Sequence, residues 1–162
     1  DCHFSGFNGE LSFKGGEARA NYNKNILIDN NRFYARGYES GEYTNPMFFL
    51  YNCENVICTN NHVFGSDTGV FLAPGAINTH IKNNTFYVNQ AIYLSNNATY
   101  HGNNFIDGNT FVCSDFISGL APTAAERRKL FIRDNQTSTL TSTLDTSVWG
   151  ARVVMENNML GE

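Results

Sequence analysis

Six times in this chain an apolar residue is followed three places later by asparagine, and two places after that by a further side chain suited to a core. The segments are Ile28-Asp-Asn-Asn31-Arg-Phe33, Cys58-Thr-Asn-Asn61-His-Val63, Ile81-Lys-Asn-Asn84-Thr-Phe86 and Ile106-Asp-Gly-Asn109-Thr-Phe111, with looser copies Ile132-Arg-Asp-Asn135-Gln-Thr137 and Met155-Glu-Asn-Asn158-Met-Leu160. The anchors Asn31, Asn61, Asn84, Asn109, Asn135 and Asn158 stand 30, 23, 25, 26 and 23 residues apart. Self-similarity at such a period signals a solenoid, in which each unit buries its face only against its neighbours. Asp1-Cys2-His3-Phe4 has the form of another copy's tail, with Cys2 in the anchor slot. The chain is therefore expected to be a fragment of something longer, with residues 1–162 forming one domain.

The apolar positions around each anchor alternate, and Val, Ile, Phe, Tyr and Thr are frequent there, which selects strand over helix. A period near 25 holds three short strands and three turns, the size of one coil of a parallel β-helix. The expected fold is thus all-β, a right-handed parallel β-helix of about six coils. Met47–Tyr51, Gly69–Ala73 and Ala91–Ser95 read as matching strands of a second set. One short helix is expected near 121–129, where Pro122 leads and basic residues close the segment. The chain carries 23 asparagines in 162 residues. In the anchor slot each amide can donate to one neighbouring coil and accept from the other, and an Asn backbone tolerates a tight bend.

Two outward columns follow from this register. Two places before the anchors stand Asp29, Thr59, Lys82, Asp107, Arg133 and Glu156, the last four alternating in sign. Four places before stand Leu27, Ile57, His80, Phe105, Phe131 and Val154, five of them large and apolar where a solvated wall would be polar. An apolar stripe of that length marks a partner or a cover.

The turn after each anchor carries the candidate chemistry. It begins as the long aromatic and acidic loop from Tyr34 to Tyr43, then becomes Phe64–Thr68, Tyr87–Gln90 and Val112–Phe116. Counting from the anchors places Asp67, Asn89 and Asp115 in roughly one column, with Glu42 near Asp67. Two coils separate Asp67 from Asp115, about 9–10 Å between backbones. An inverting glycosidase holds its carboxyl pair about 6.5–9.5 Å apart. Asp67 and Asp115, with Glu42, are therefore the candidate catalytic residues. Tyr34, Tyr38, Tyr43, Tyr87 and Asn89 are the candidate substrate contacts. The alternative is that Ser-Asp-Thr and Cys-Ser-Asp are ordinary turn sequences with solvated carboxylates, and that the tyrosines support the wall.

A net charge of −4 leaves no broad cationic surface, so no nucleic-acid partner is expected. No run approaches 18 apolar residues, so no membrane span is expected. Cys53 and Cys58 are spaced too widely for a CxxC pair, and the histidines show no HxxxH spacing; no metal or other cofactor is expected, and buried free thiols are.

Through its I-x-x-N-x-F coils, from about residue 25 to 160, the chain resembles the right-handed parallel β-helix (pectate-lyase-like) superfamily, and most of all a bacteriophage tailspike segment. That superfamily includes polysaccharide lyases, glycoside hydrolases, sugar epimerases and tailspikes. The resemblance implies a polysaccharide partner, a parallel homotrimer with the rods side by side, and a place on the virion, outside the cell or on its surface. It leaves open a stand-alone lyase or hydrolase, and a structural module with no ligand. The acid-rich calcium motifs and the Arg and Lys signature of pectate lyases are missing, as is the Asp-Pro-His pattern of alginate epimerases. No catalytic residue is carried over from those relatives.

Overall fold

The computed structural model describes residues 2–7, 11–16, 18–35, 46–95, 102–120, 128–141 and 149–160. The chain enters with β1 (His3–Phe7) and then winds through successive coils. The first is β2 (Leu11–Lys14), β3 (Asn23–Asp29) and β4 (Arg32–Ala35), and the second β5 (Pro46–Tyr51), β6 (Cys53–Thr59) and β7 (His62–Phe64). The third is β8 (Thr68–Leu72), the short β9 (Ala76–Ile77), β10 (Thr79–Lys82) and β11 (Thr85–Tyr87). The fourth is β12 (Gln90–Leu94), β13 (Gly102–Asp107) and β14 (Thr110–Val112). After β15 (Asp115–Gly119), β16 (Arg128–Arg133) and β17 (Gln136–Thr137) come β18 (Val153–Glu156) and β19 (Met159–Leu160).

Each strand pairs in parallel with its counterpart one coil away, so the strands form three walls. The strands that follow the asparagines, β1-β4-β7-β11-β14-β17-β19, form the anchor wall. Those that lead into them, β3-β6-β10-β13-β16-β18, form the approach wall, with β9 beside β6. The third wall is β2-β5-β8-β12-β15. Five coils carry a strand in all three walls among the described residues, fewer than the six expected. The second strand set aligns as expected, with Phe48 opposite Val70, Val70 opposite Ile92 and Ile92 opposite Ile117. Of the expected helix near 121–129, residues 121–127 lie outside the described residues. Arg128 and Lys129 instead open β16, pairing with Gly102 and Asn103, because the ladder of the approach wall extends back that far. No helix among the described residues is long and apolar enough to cross a membrane.

The core is a set of stacked slots. Cys58, Ile81, Ile106 and Ile132 from the approach wall are 0% exposed, as are Val63, Phe86 and Phe111 from the anchor wall. The rings of Phe86 and Phe111 stack with centroids 4.9 Å apart, close to the interstrand repeat. Phe48 from the third wall meets Phe33 and Phe86 edge to face, tying two walls together.

The corner between approach and anchor walls is polar yet buried, and the asparagine side chains resolve that conflict. Oδ1 of Asn109 accepts from the backbone N–H of Asn84 at 2.9 Å and from its Nδ2 at 3.0 Å. Nδ2 of Asn109 donates to the Ile81 carbonyl at 2.9 Å, to the Asp107 carbonyl at 3.2 Å and to Oδ1 of Asn135 at 3.0 Å. The intercoil links repeat at Asn61, Asn84 and Asn135. Cys2 does occupy the preceding anchor slot: its N–H donates to Oδ1 of Asn31. The tight bend, however, falls one residue earlier than expected. Asn30, Asn60, Asn83, Gly108, Asp134 and Asn157 take φ between 53° and 65°, residue types that accept left-handed backbone with little strain. In each Asn-Asn pair the first residue makes the turn and the second makes the ladder.

A second left-handed column, Asn25, Asn55 and Asn78, runs along the approach wall, where Nδ2 of Asn55 donates to Oδ1 of Asn25. These columns explain the asparagine content: the fold uses the residue both for a backbone conformation and for an amide ladder.

Candidate functional site

On the anchor wall two columns face outward in register. One is Arg32, His62, Thr85 and Thr110; the other is Tyr34, Phe64, Tyr87 and Val112. Tyr34, Tyr87 and Val112 are 37%, 44% and 42% exposed. The Tyr34 and Phe64 rings stack at 5.0 Å with planes 6° apart, and Phe64 and Tyr87 at 4.7 Å and 12°. Parallel stacking turns the ring faces toward one another, so the wall shows solvent a ridge of ring edges. Tyr34 and Tyr87 each turn one ring face to Phe64. Phe64, between them, joins the two tyrosines into one stack and was not among the candidates named from the sequence.

At the corner between the anchor and third walls, Nδ2 of Asn89 donates to Oδ1 of Asp67 at 3.0 Å. Asp115 does not continue that column. It stands opposite Gln90, and Gln90 opposite Thr68, one place further along the strand. The cause is one extra residue in the turn from Phe64 to Thr68, where Gly65 takes φ 81°. A count from the anchors cannot see that shift. Thr68 Oγ1 donates to Oε1 of Gln90 at 3.4 Å, and Nε2 of Gln90 donates to Oδ2 of Asp115 at 3.3 Å and to Oγ of Ser118. The two carboxylates thus sit in adjacent ladders, each touched by an amide of the coil between them. Gln90 belongs to this corner and escaped the sequence reading; the unequal turn lengths were the signal for it. Glu42, Tyr38 and Tyr43 lie outside the described residues.

The approach wall carries the expected stripe. Leu27, Ile57, His80, Phe105, Phe131 and Val154 are in register, with Leu27 66% exposed and the rest half-buried or at the edge of exposure. His80 stacks on Phe105 at 4.7 Å and Phe105 on Phe131 at 5.1 Å. Burial, with Lys82 beside it, lowers the His80 pKa from its ordinary value. In the charge column the Asp107–Arg133 pair is bidentate, at 3.1 and 3.2 Å. That pair raises the Arg133 pKa, and its guanidinium lies 5.8 and 5.6 Å from the Phe105 and Phe131 centroids. Cys53 and Cys58 are buried free thiols, Cys113 is half-buried and Cys2 exposed. Burial pushes the Cys53 thiol up to about 12, and Cys58 up as well. Among the described residues no three His, Cys, Asp or Glu side chains gather as a metal site.

The family described as the right-handed beta helix region matches residues 1–111. No curated protein and no solved structure matches the chain. With that match over more than half its length, and with coils that stack in parallel through three walls, the chain belongs to the right-handed β-helix family and is a β-helical protein of structural or carbohydrate-related kind.

Proposed function

We propose that the rod is a recognition segment of a tailspike-like surface protein, holding a bacterial polysaccharide along its anchor wall. The observation that carries this reading is the exposed ridge Tyr34–Phe64–Tyr87 beside the Asp67–Asn89 pair. The ridge offers apolar edges to sugar C–H groups, and the adjoining corner offers carboxylate and amide groups to hydroxyls. The rings repeat along the axis at the interstrand spacing of about 4.8 Å, so a long glycan lying on the rod meets Tyr34, Phe64 and Tyr87 in turn, with the Asp67–Asn89 pair beside them. The site works outside the bacterial cell, on a virion or a cell surface.

The test is retention on immobilised capsular and O-antigen polysaccharides. Tyr87→Ala and Asn89→Ala weaken retention while leaving the melting temperature near that of the parent. Binding to no polysaccharide, or equal binding by the variants, refutes the site. Cleavage is tested in the same tubes by following new reducing ends. An inverting hydrolase that uses Asp67 and Asp115, with Glu42 as the third carboxylate proposed from the sequence, loses turnover in Asp67→Asn and Asp115→Asn. Turnover unchanged in both removes the pair.

The stripe Leu27–Ile57–His80–Phe105–Phe131–Val154 supports a homotrimer with these walls facing inward. Light scattering reads the mass directly. Leu27→Asp with Ile57→Asp gives monomer if the stripe is the contact, and an unchanged mass removes that role.

A further inference from the structure

The outside of the rod treats charge in two opposite ways. In the approach-wall column two places before the anchors the signs alternate from Lys82 to Glu156, and Arg133 pairs with Asp107 at 3.1 Å. On the anchor wall, one place after the anchors, Arg32 stands in register with His62, and both side chains are exposed. His3 takes the same register position on β1, on the other side of Arg32. Strand β4 lies between β1 and β7, and β7 between β4 and β11, so both flanks of the Arg32–His62 pair are in place. Beyond His62 the column turns neutral, with Thr85, Thr110 and Gln136. The ion pairs among the described residues, Lys24–Glu54 and Asp107–Arg133, both lie on the approach wall. Asp29, the carboxylate nearest Arg32 in sequence, also belongs to the approach wall and accepts from Nδ2 of Asn60. Basic groups set side by side repel once both are charged. Packing therefore gives no reason for this pair in a chain of net charge −4.

We propose that Arg32 and His62 form a phosphate subsite, which takes a phosphoryl group carried by a sugar that lies against Tyr34 and Phe64; this rests on the reading of the anchor wall as a glycan surface. Tyr34 stands two residues beyond Arg32, and Phe64 two beyond His62, so basic groups and rings mark the corners of a rectangle on one face. Its sides are about 4.8 Å between strands and about 6.6 Å along them. A carboxylate, planar and singly charged, is matched by the guanidinium fork alone. A phosphate brings a third oxygen and a second charge, and the imidazole one strand away supplies the further donor. So few basic groups suit one phosphate, whereas a nucleic acid needs a row of them. Asp67 and Asn89 lie past the rings on the opposite side. The anionic edge of the sugar is thereby sorted to one side of the ridge and its hydroxyls to the other, which fixes the orientation of the ligand. The neutral column beyond His62 confines the phosphate to the first two coils.

Phosphorus NMR on the full chain at constant ionic strength tests this, with glucose 1-phosphate and inorganic phosphate as ligands and glucuronate and glucose as competitors. Glucose 1-phosphate binds saturably, and neither competitor displaces it at equal concentration. Arg32→Gln weakens binding about ten-fold and His62→Gln about three-fold. Thr110→Ala, further along the same column, leaves it unchanged. Tyr34→Ala weakens glucose 1-phosphate but not inorganic phosphate, because only the sugar reaches the ring. Melting curves fix a temperature at which every variant is folded. Phosphate that binds Arg32→Gln as well as the parent, no saturable binding, or displacement by glucuronate as effective as by inorganic phosphate overturns the proposal. Retention on immobilised polysaccharide with no phosphate binding removes the subsite and leaves the glycan surface standing. Arg32-dependent binding of glucose 1-phosphate with no polysaccharide retained upholds the subsite and removes the wider reading.

Discussion

Asn109→Ala is the sharpest probe of what holds the rod together. The substitution deletes five hydrogen bonds made by one side chain: two accepted from Asn84, and three donated to Ile81, Asp107 and Asn135. Some of the partners keep other contacts. The Asp107 carbonyl still accepts from Asn83, and Oδ1 of Asn135 still accepts the residue 109 N–H. The N–H of Asn84 does not, and Asn84 is 1% exposed, so water reaches it poorly. A buried donor left in that state costs about 1–3 kcal/mol, and each lost neutral bond about 0.5–1.5 kcal/mol net. Allowing for shared partners, the loss is about 3–5 kcal/mol, a large part of a typical domain's stability. At Asn158, half-buried and bonded on one side, the same change deletes three hydrogen bonds and takes the acceptor from the N–H of Asn135, which is 0% exposed, so it costs about 2–3 kcal/mol. Urea unfolding followed by the fluorescence of Trp149, the single tryptophan, measures both. Amide exchange at Asn84 provides the local reading and accelerates in Asn109→Ala. A loss below about 1 kcal/mol at Asn109, or a larger loss at Asn158 than at Asn109, refutes the claim that the ladder holds this corner. Asn109→Asp separates acceptor from donor. It keeps the oxygens and buries a carboxylate beside other oxygens, which raises its pKa above the unfolded value. Stability is then higher at acid pH and falls as pH rises through that range.

The left-handed column makes a different prediction: Asn60→Gly is near neutral, while Asn60→Val costs about 1–2 kcal/mol, read by the same urea midpoint. The thiols sort by burial, so in native protein Cys2 reacts with a disulfide reagent at once, Cys113 slowly, and Cys53 and Cys58 only in denaturant. Because the Cys53 pKa is raised from 9.0 to about 12, stability falls as pH climbs above 9, a decline visible in melting temperatures between pH 8 and pH 11 if thiol ionisation drives it. His80 works in the opposite sense. Its lowered pKa makes the neutral ring the stable partner of Phe105, so stability declines as pH drops below 6.5. His80→Phe removes that dependence and lengthens the aromatic stack, and an unchanged acid limb counts against the assignment.

What the sequence disclosed about this rod depended on whether a feature lay close to an anchor. Asn31, Asn61, Asn84, Asn109, Asn135 and Asn158 are locked to the corner by hydrogen bonds, so slots within a few residues of them were countable and the walls came out in register. The residue before each anchor was passed over because Asn, Gly and Asp share a backbone preference, not a side-chain chemistry, and a search for identical letters does not see it. Past the anchor strands the count drifts. One residue added at Gly65 moves Thr68, not Asp67, into the column of Gln90 and Asp115, and what read as a three-residue column is two ladders. The tyrosines were legible as residues but not as a stack: Tyr34 and Tyr87 turn their faces to Phe64, and ring orientation is set by the neighbour one coil away.

The alternating charges beside the corner also bear on how such a rod changes length. Most contacts run only to the adjoining coil, so a duplication or deletion of one repeat disturbs little of the core. Yet inserting a single unit into Lys82–Asp107–Arg133–Glu156 sets two like charges against each other, whereas inserting two preserves the sequence of signs. Growth in this half of the molecule is therefore easiest in steps of two. Thr59, uncharged and standing between Asp29 and Lys82, is the point at which an odd number of units can be absorbed without penalty.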